Sequence, residues 1–121
     1  MLIRIQKIPL DSIRIYISET KKEGMAGFSE NAEYFGLFTD NILAGFTSIQ
    51  QYGINKVKFN NHYILKEYRG RGYFKLLFSF SKEYAKGRKI IATCTEMSLQ
   101  HYLSNGAKIT KQYKHYTSVE I

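Results

Sequence analysis

A short glycine- and arginine-rich stretch, YRGRGYFKLLF from Tyr68 to Phe78, has the clearest potential for chemistry in this sequence. Its two glycines can adopt positive φ and let a ligand approach the backbone, directly before an amphipathic run that favours a helix. The first N–H groups of a helix are unpaired and carry partial positive charge, so such a junction attracts phosphate. Arg69 and Arg71 add charge and hydrogen-bond donors. The same composition is typical of a solvated turn or an RNA-contacting loop, so three interpretations stay open.

Length and composition limit the fold and function classes. With 121 residues, 44% of them hydrophobic and 23% charged, the chain predicts one globular domain over residues 1–121. No apolar run reaches the ~18 residues that cross a bilayer, and the start lacks a signal-peptide apolar block. The single cysteine, Cys94, excludes an internal disulfide and fits a reducing compartment. We therefore expect a cytoplasmic protein without membrane contact.

The charge is unevenly distributed along the chain. Residues 1–55 hold five Lys/Arg against six Asp/Glu, a net charge of −1, whereas residues 56–121 hold thirteen against four, a net charge of +9. A basic half of this kind indicates a polyanionic partner such as nucleic acid, a phosphorylated small molecule, or only a solubilising surface. Tyrosines interleaved with lysines, as in YKHY and KEYRGRGY, suit contacts with nucleic-acid phosphates and bases.

Periodicity in the first half predicts strands with one early helix. Residues 1–7 alternate as a strand. After Pro9, the helical spacing of Ile13 and Ile17 favours a helix, although IRIYIS also alternates as a strand would. KKEGMAGFSENAE then predicts a loop or a short second helix. EYFGLFTDNILAGFTSIQQYG predicts a hairpin that turns at Asp40-Asn41. KVKFNNHYILKEY predicts a third strand as one alternating run.

The second half predicts a crossover helix between two strands. The helix is expected from Gly72 to about Lys86, and its apolar face is expected to consist of Tyr73, Leu76, Leu77, Phe80 and Tyr84. KIIATC predicts a central strand covered on both faces, MSLQHYLSNG a short helix, and KITKQYKHYTSVEI a last strand or hairpin. The expected fold class is α/β: a mixed central sheet with an antiparallel front half and a parallel pair around the glycine loop and crossover helix, flanked by helices.

Two motifs resemble those of the GNAT-type N-acetyltransferases. ILKEYRGRGYFKLLF is similar to the family's acetyl-CoA-binding motif, with Arg69 at its first position and Gly72 at its glycine, while Phe74 replaces a final small residue. TEMSLQHYLSNGAKI is similar to a later motif, with Tyr102 at its tyrosine and Thr95 where an asparagine is more usual. The resemblance covers about residues 30–121 and implies a single GNAT-like domain.

The resemblance also implies an activity, the direct transfer of an acetyl group from acetyl-CoA to a primary amine. Backbone amides of the glycine loop would hold the pyrophosphate. Backbone groups of the preceding strand end would meet the pantetheine arm, and one amide there would stabilise the oxyanion. The implied cofactor-binding residues are Ile64, Leu65, Lys66, Arg69, Gly70, Arg71, Gly72, Tyr73, Phe74 and Thr95.

Three residues are candidates for acid–base catalysis. The resemblance assigns Tyr102 to protonate the sulfur of the leaving thiolate, although a tyrosine packed on a helix face is the alternative. His62 and Glu96 are candidates for the general base, but His62 could equally be a hydrogen-bonded strand residue and Glu96 a helix cap. Deprotonation through water would need neither. The histidines lack ligand spacing, so we expect no metal site.

Two further functions stay open beside a small-amine or protein acetyltransferase. The basic half favours a GNAT-fold enzyme that modifies nucleic acid, of the kind a phage could encode. The Phe74 and Thr95 replacements favour a non-catalytic binding protein that keeps the fold. The sequence names neither the acceptor nor the oligomeric state, for which a homodimer is one option.

Overall fold

The computed structural model describes residues 2–121, which form one twisted mixed sheet with helices on both faces. The strands are β1 (Ile3–Ile8), β2 (Ala32–Thr39), β3 (Ile42–Gln51), β4 (Lys56–Phe59), β5 (Tyr63–Ile64), β6 (Lys89–Cys94), β7 (Lys108–Gln112) and β8 (Thr117–Glu120). The helices are α1 (Ile17–Lys22), α2 (Tyr73–Tyr84) and α3 (Glu96–Ser104). In the described part of the chain, no helix is long and apolar enough to span a membrane.

The strand order β1-β2-β3-β4-β6-β8-β7 confirms the predicted mixed sheet. Neighbouring strands are antiparallel except β4 and β6, which run parallel with Lys56 opposite Lys89 and Phe59 opposite Ala92. The β2–β3 hairpin turns as predicted at Asp40 and Asn41, whose φ values of 50° and 70° define the tight turn that matches strand twist.

The predicted third strand is wrong as a single element, because it breaks between Phe59 and Tyr63 into β4 and β5. The buried side chain of Asn61 holds the break. Its Oδ1 accepts from Ser48 Oγ at 2.9 Å, and its Nδ2 donates to the Ala26 carbonyl at 2.9 Å. After the break, β5 pairs with β3 only, and within residues 2–121 no ladder joins β5 to β6. The sheet therefore opens between these two strands.

Helices α2 and α3 cover one face of the sheet, where the largest core cluster joins Phe59, Phe78, Ala92, Tyr102 and Val119. The predicted crossover helix is confirmed, but its apolar face is shifted. Leu76 and Tyr84 are 43% and 41% exposed, because the sheet lies along the other side of the helix. The residues of α2 that are buried are Tyr73, Leu77, Phe78 and Ser81.

Within residues 2–121, the opposite face is covered only over β1, β2, β3 and β5. There the chain after Pro9 forms two 3₁₀ turns (Leu10–Ser12 and Arg14–Tyr16) before α1, so the predicted early helix is largely replaced by tighter turns. The prediction that KIIATC is covered on both faces is wrong, because β6 is covered on one face only: Ile90, Ala92 and Cys94 are buried, while Lys89 and Thr93 are exposed. The C-terminal segment forms the hairpin of β7 and β8 that the sequence allowed.

Candidate active site

The opening between β5 and β6 forms a cavity of about 760 Å³. Its walls come from both faces of the sheet, with Phe74 and His101 from the face of α2 and α3, and Lys58 and Thr93 from the other face. The predicted site residues that line it are His62, Ile64, Arg69, Gly70, Gly72, Tyr73, Phe74, Thr95 and Tyr102. Leu65, Lys66, Arg71 and Glu96 do not line it. Residues 38 positions apart in sequence, such as Ile64 and Tyr102, thus share one site.

The glycine loop enters α2 with an open backbone. Gly70 and Gly72 have φ values of +79° and +82°, a conformation that side chains with a Cβ rarely adopt. A Cβ built on either glycine meets nothing within 4 Å, so the space above the loop is free for a ligand. Gly72 is the N-cap of α2 and supplies no side-chain cap, and the first turn carries Lys75 and no acid. This arrangement favours an anion at the start of the helix.

Arg69 is tied to the protein rather than pointing freely into the cavity. Its Nε donates to the Ile64 carbonyl at 2.8 Å, and its Nη2 donates to both carboxylate oxygens of Glu23 at 2.9 and 3.0 Å. Its guanidinium carbon lies 5.2 Å from the centre of the Tyr63 ring. Arg69 therefore clamps the glycine loop to β5 and to the loop after α1. Arg71 lies outside the cavity, where it donates to the Glu67 carbonyl at 3.2 Å.

The strand end before the loop is shorter than predicted. β5 ends at Ile64, and Lys66 begins a 3₁₀ turn with its side chain exposed. Leu65 is buried in a core cluster, and its N–H donates to the Ala44 carbonyl at 2.9 Å. The close approach of β5 to β3 explains Gly45, where a Cβ would lie 2.7 Å from the Tyr63 carbonyl oxygen.

His62 lies in an aromatic stack at the side of the cavity. Its ring centre is 4.1 Å from that of Phe74, whose other neighbour is His101 at 4.7 Å. His62 is 6% exposed, and neither ring nitrogen has a well-formed hydrogen bond within the described chain, although the Phe74 backbone is near. Burial lowers the pKa of His62 to about 3, so the ring is neutral at pH 7 and a weak base. Phe74, where the motif has a small residue, thus fills space between two histidines.

Tyr102 and Cys94 are buried and both line the cavity. Burial raises the pKa of the Tyr102 phenol, with a smaller contribution from Cys94. Burial also raises the pKa of the Cys94 thiol to about 12, so this cysteine is not a thiolate at pH 7. Tyr102 packs edge-on against Phe74 and Phe78, with ring centres 5.6 and 5.5 Å away. It keeps its proton throughout the neutral range.

Thr95 and Glu96 have positions that explain their residue types. Thr95 is the N-cap of α3, and its Oγ1 accepts from the Ser98 N–H at 3.3 Å, while the Ser98 hydroxyl accepts from the Thr95 N–H at 3.1 Å. Glu96 is exposed in the first turn of α3, where its negative charge interacts favourably with the positive end of the helix dipole. The Thr95 hydroxyl therefore stabilises the helix, although the residue lines the cavity.

Sequence reasoning missed Glu23, the one carboxylate among the described residues that line the cavity. Its side chain is 17% exposed and accepts from the Tyr63 hydroxyl at 3.2 Å as well as from Arg69. No local pattern marks it, since Arg69 lies 46 residues further along the chain. Lys75 and His101 were also missed, because both lie on helix positions that read as solvent-facing.

Comparison with known proteins finds similarity in structure only. No protein-family model and no curated protein sequence matches the chain. The PaiA N-acetyltransferase of Thermoplasma acidophilum, solved in complex with coenzyme A, superposes with a TM-score of 0.80 at 16% identity, covering 99% of this chain and 98% of that one. An IAA acetyltransferase of Bacillus cereus gives a TM-score of 0.76 at 13% identity, with 99% and 100% covered.

A third similar structure is the N-acetylglutamate synthase of Neisseria gonorrhoeae, solved with coenzyme A and L-arginine. Its TM-score is 0.81 at 14% identity, and the match covers 98% of this chain but 32% of that one. The likeness extends over 98–99% of this chain in each case. The chain therefore has the fold of the GNAT N-acetyltransferases.

Proposed function

We propose that the protein is an acetyl-CoA-dependent N-acetyltransferase that acts on a primary amine in the cytoplasm. One observation carries the proposal: two glycines at positive φ present an unobstructed backbone at the start of α2, inside a cavity that reaches Tyr102. A pyrophosphate fits such a helix start, because the dipole and the unpaired N–H groups both favour negative charge. Lys58, Lys75 and one carboxylate, already paired with Arg69, make the cavity suitable for an anionic donor.

The cavity supplies groups for each part of the reaction. Gly70, Gly72 and the first turn of α2 hold the pyrophosphate, and the Ile64 backbone meets the pantetheine arm. The amine nitrogen attacks the thioester carbonyl, a C–N bond forms, the C–S bond breaks, and the thiolate leaves. Tyr102 is protonated at neutral pH and offers its proton to the sulfur as the C–S bond breaks, although its raised pKa makes it a weak acid.

The proton of the attacking amine leaves through water in this proposal. His62 is the nearest candidate base of the sequence, but a conjugate acid with a pKa of about 3 gives little driving force for proton transfer at pH 7. Glu96 is exposed at the start of α3 and does not line the cavity. Solvent water entering from the open side of the cavity would take this proton without either residue. His62 then acts as a neutral wall of the site.

Calorimetric titration with acetyl-CoA tests the donor site. Gly72→Leu adds a side chain in the free space over the loop and should abolish saturable binding, because the pyrophosphate can no longer reach the backbone. Gly87→Leu is the matched control. Gly87 has φ +87° and equally free space around a Cβ, but it follows the far end of α2 and does not line the cavity.

The outcomes separate the candidate functions. Binding that survives Gly72→Leu would show that the donor site is assigned to the wrong loop. A protein that binds no acetyl-CoA at all would be the non-catalytic relative that the Phe74 replacement suggests. Binding together with transfer to an amine, detected as free thiol released only when both substrates are present, would support the enzyme.

A further inference from the structure

One face of the sheet beyond β3 is left uncovered and carries five lysines. Helices α2 and α3 pack on the opposite face, and the layer of α1 lies over β1, β2 and β3. Directly opposed residues on adjacent strands share a face, so the register assigns residues of β4, β6, β8 and β7 to one surface. This basic face contains Lys56, Lys58, Lys89, Lys108 and Lys111.

The charge of the basic face is largely uncompensated. Glu120 is its one acidic residue among the described strands, and it is paired with Lys89 at 2.8 Å. At ~4.8 Å between strands, the four strands spread these cations over roughly 14 Å of sheet width. A second copy of this chain does not fit the face, because lysines would meet lysines and each chain carries a net charge of +8.

Exposed tyrosines border the basic face. Tyr113 and Tyr116 stack on each other at 4.6 Å in the turn between β7 and β8, and both are more than 40% exposed. Lys111 Nζ lies 5.0 Å from the centre of the Tyr113 ring. At the other border, Tyr52 is 51% exposed beside Lys58. Lysines that track phosphates and aromatic rings that stack on unpaired bases are the two elements of single-strand binding.

The basic face leads into the cavity. Lys58 lines the cavity from this face, and His115 and Tyr116 line it from the turn between β7 and β8. We propose that this face docks single-stranded nucleic acid. The docking follows from the face alone and does not depend on the proposed function. An acidic protein would use the lysines but not the exposed ring surfaces of Tyr113 and Tyr116.

Fluorescence anisotropy with a labelled 20-nucleotide oligo(dT), measured over a series of salt concentrations, tests the docking. If five lysines each neutralise a phosphate, the slope of log K against log [salt] should be about −3.5. The triple variant Lys56→Gln/Lys108→Gln/Lys111→Gln, whose three positions do not line the cavity, should reduce the slope to about −1.4. The control Lys82→Gln/Lys86→Gln, at exposed positions within α2 and in the turn that follows it, should leave the slope unchanged.

Stacking is tested separately with Tyr113→Ala/Tyr116→Ala. Its affinity for the oligonucleotide should fall by about fivefold or more with the slope preserved, because a ring face and not a charge is removed. Equal affinity for polyglutamate, or a slope that the triple lysine variant leaves intact, would overturn the docking. So would a dimer in sedimentation that buries the face. Parallel titration with acetyl-CoA keeps the two proposals distinct, since loss of either binding with the other retained refutes only one of them.

Discussion

Protonation of His62 should make the folded state unusually sensitive to mild acid. The ring is buried against Phe74 with no hydrogen-bond partner in the described chain, and its pKa is about 3 in place of 6.5. The folded pKa is depressed, so the unfolded chain binds the proton first as the pH falls. The contribution of neutral His62 to the free energy of unfolding is therefore fully present above pH 6.5, and it is lost as the pH falls from 6.5 towards 3.

The magnitude follows from the two pKa values. Between pH 6 and pH 3 the free energy of unfolding should fall by about 1.4 kcal/mol per pH unit from this group alone. From pH 7.5 to pH 5.0 the integrated loss is about 2 kcal/mol. For a domain with a total stability of about 5–15 kcal/mol, this is a large fraction. Phe74 stacks on His101 as well as on His62, and repulsion from a charge on His101 lowers the pKa of His62 further.

The variant His62→Phe isolates this contribution. A phenyl ring preserves the stack on Phe74, removes two unsatisfied nitrogens and cannot titrate. Urea unfolding followed by circular dichroism at pH 7.5 and 5.0 gives the free energies, since the chain has no tryptophan to report by fluorescence. The original protein should lose about 2 kcal/mol more than His62→Phe on acidification. Equal losses would refute the burial argument, because carboxylates titrate alike in both proteins.

Three further variants test the site and its scaffold. Arg69→Gln should lower the free energy of unfolding. Combined with Glu23→Gln in a double-mutant cycle, it should give an interaction energy between the two side chains of about 1 kcal/mol in urea unfolding. An interaction energy of zero would contradict a stabilising role for this ion pair. Tyr102→Phe keeps the buried ring and should lower kcat by about a hundredfold or more with KM for acetyl-CoA unchanged; an unchanged kcat would remove it as the proton donor. Gly45→Ala should lower the melting temperature, because its Cβ would lie 2.7 Å from backbone, while Gly27→Ala has free space and should not; equal effects would contradict the close packing of β5 on β3.

Local sequence patterns predicted most of the elements because their causes are local. The Asp40-Asn41 turn, the glycines before α2 and the Asn105-Gly106 stop each depend on the conformations available to a few neighbouring residues. Errors arose where a neighbour in space decided the outcome. The run from Lys56 to Leu65 alternates as one strand, yet buried hydrogen bonds from Asn61 to Ser48 and to the loop after α1 break it in two.

The sequence by itself determined the order of most strands and helices and the position of the glycine loop before α2, since periodicity and glycine conformations are properties of short segments. It could not assign partners to the residues of that loop. Tertiary structure alone decided that Arg69 clamps Glu23, that His62 is buried without a partner, and that lysines of four strands share one uncovered face. Each depends on strand pairing and layer packing between distant segments, which a linear pattern does not encode.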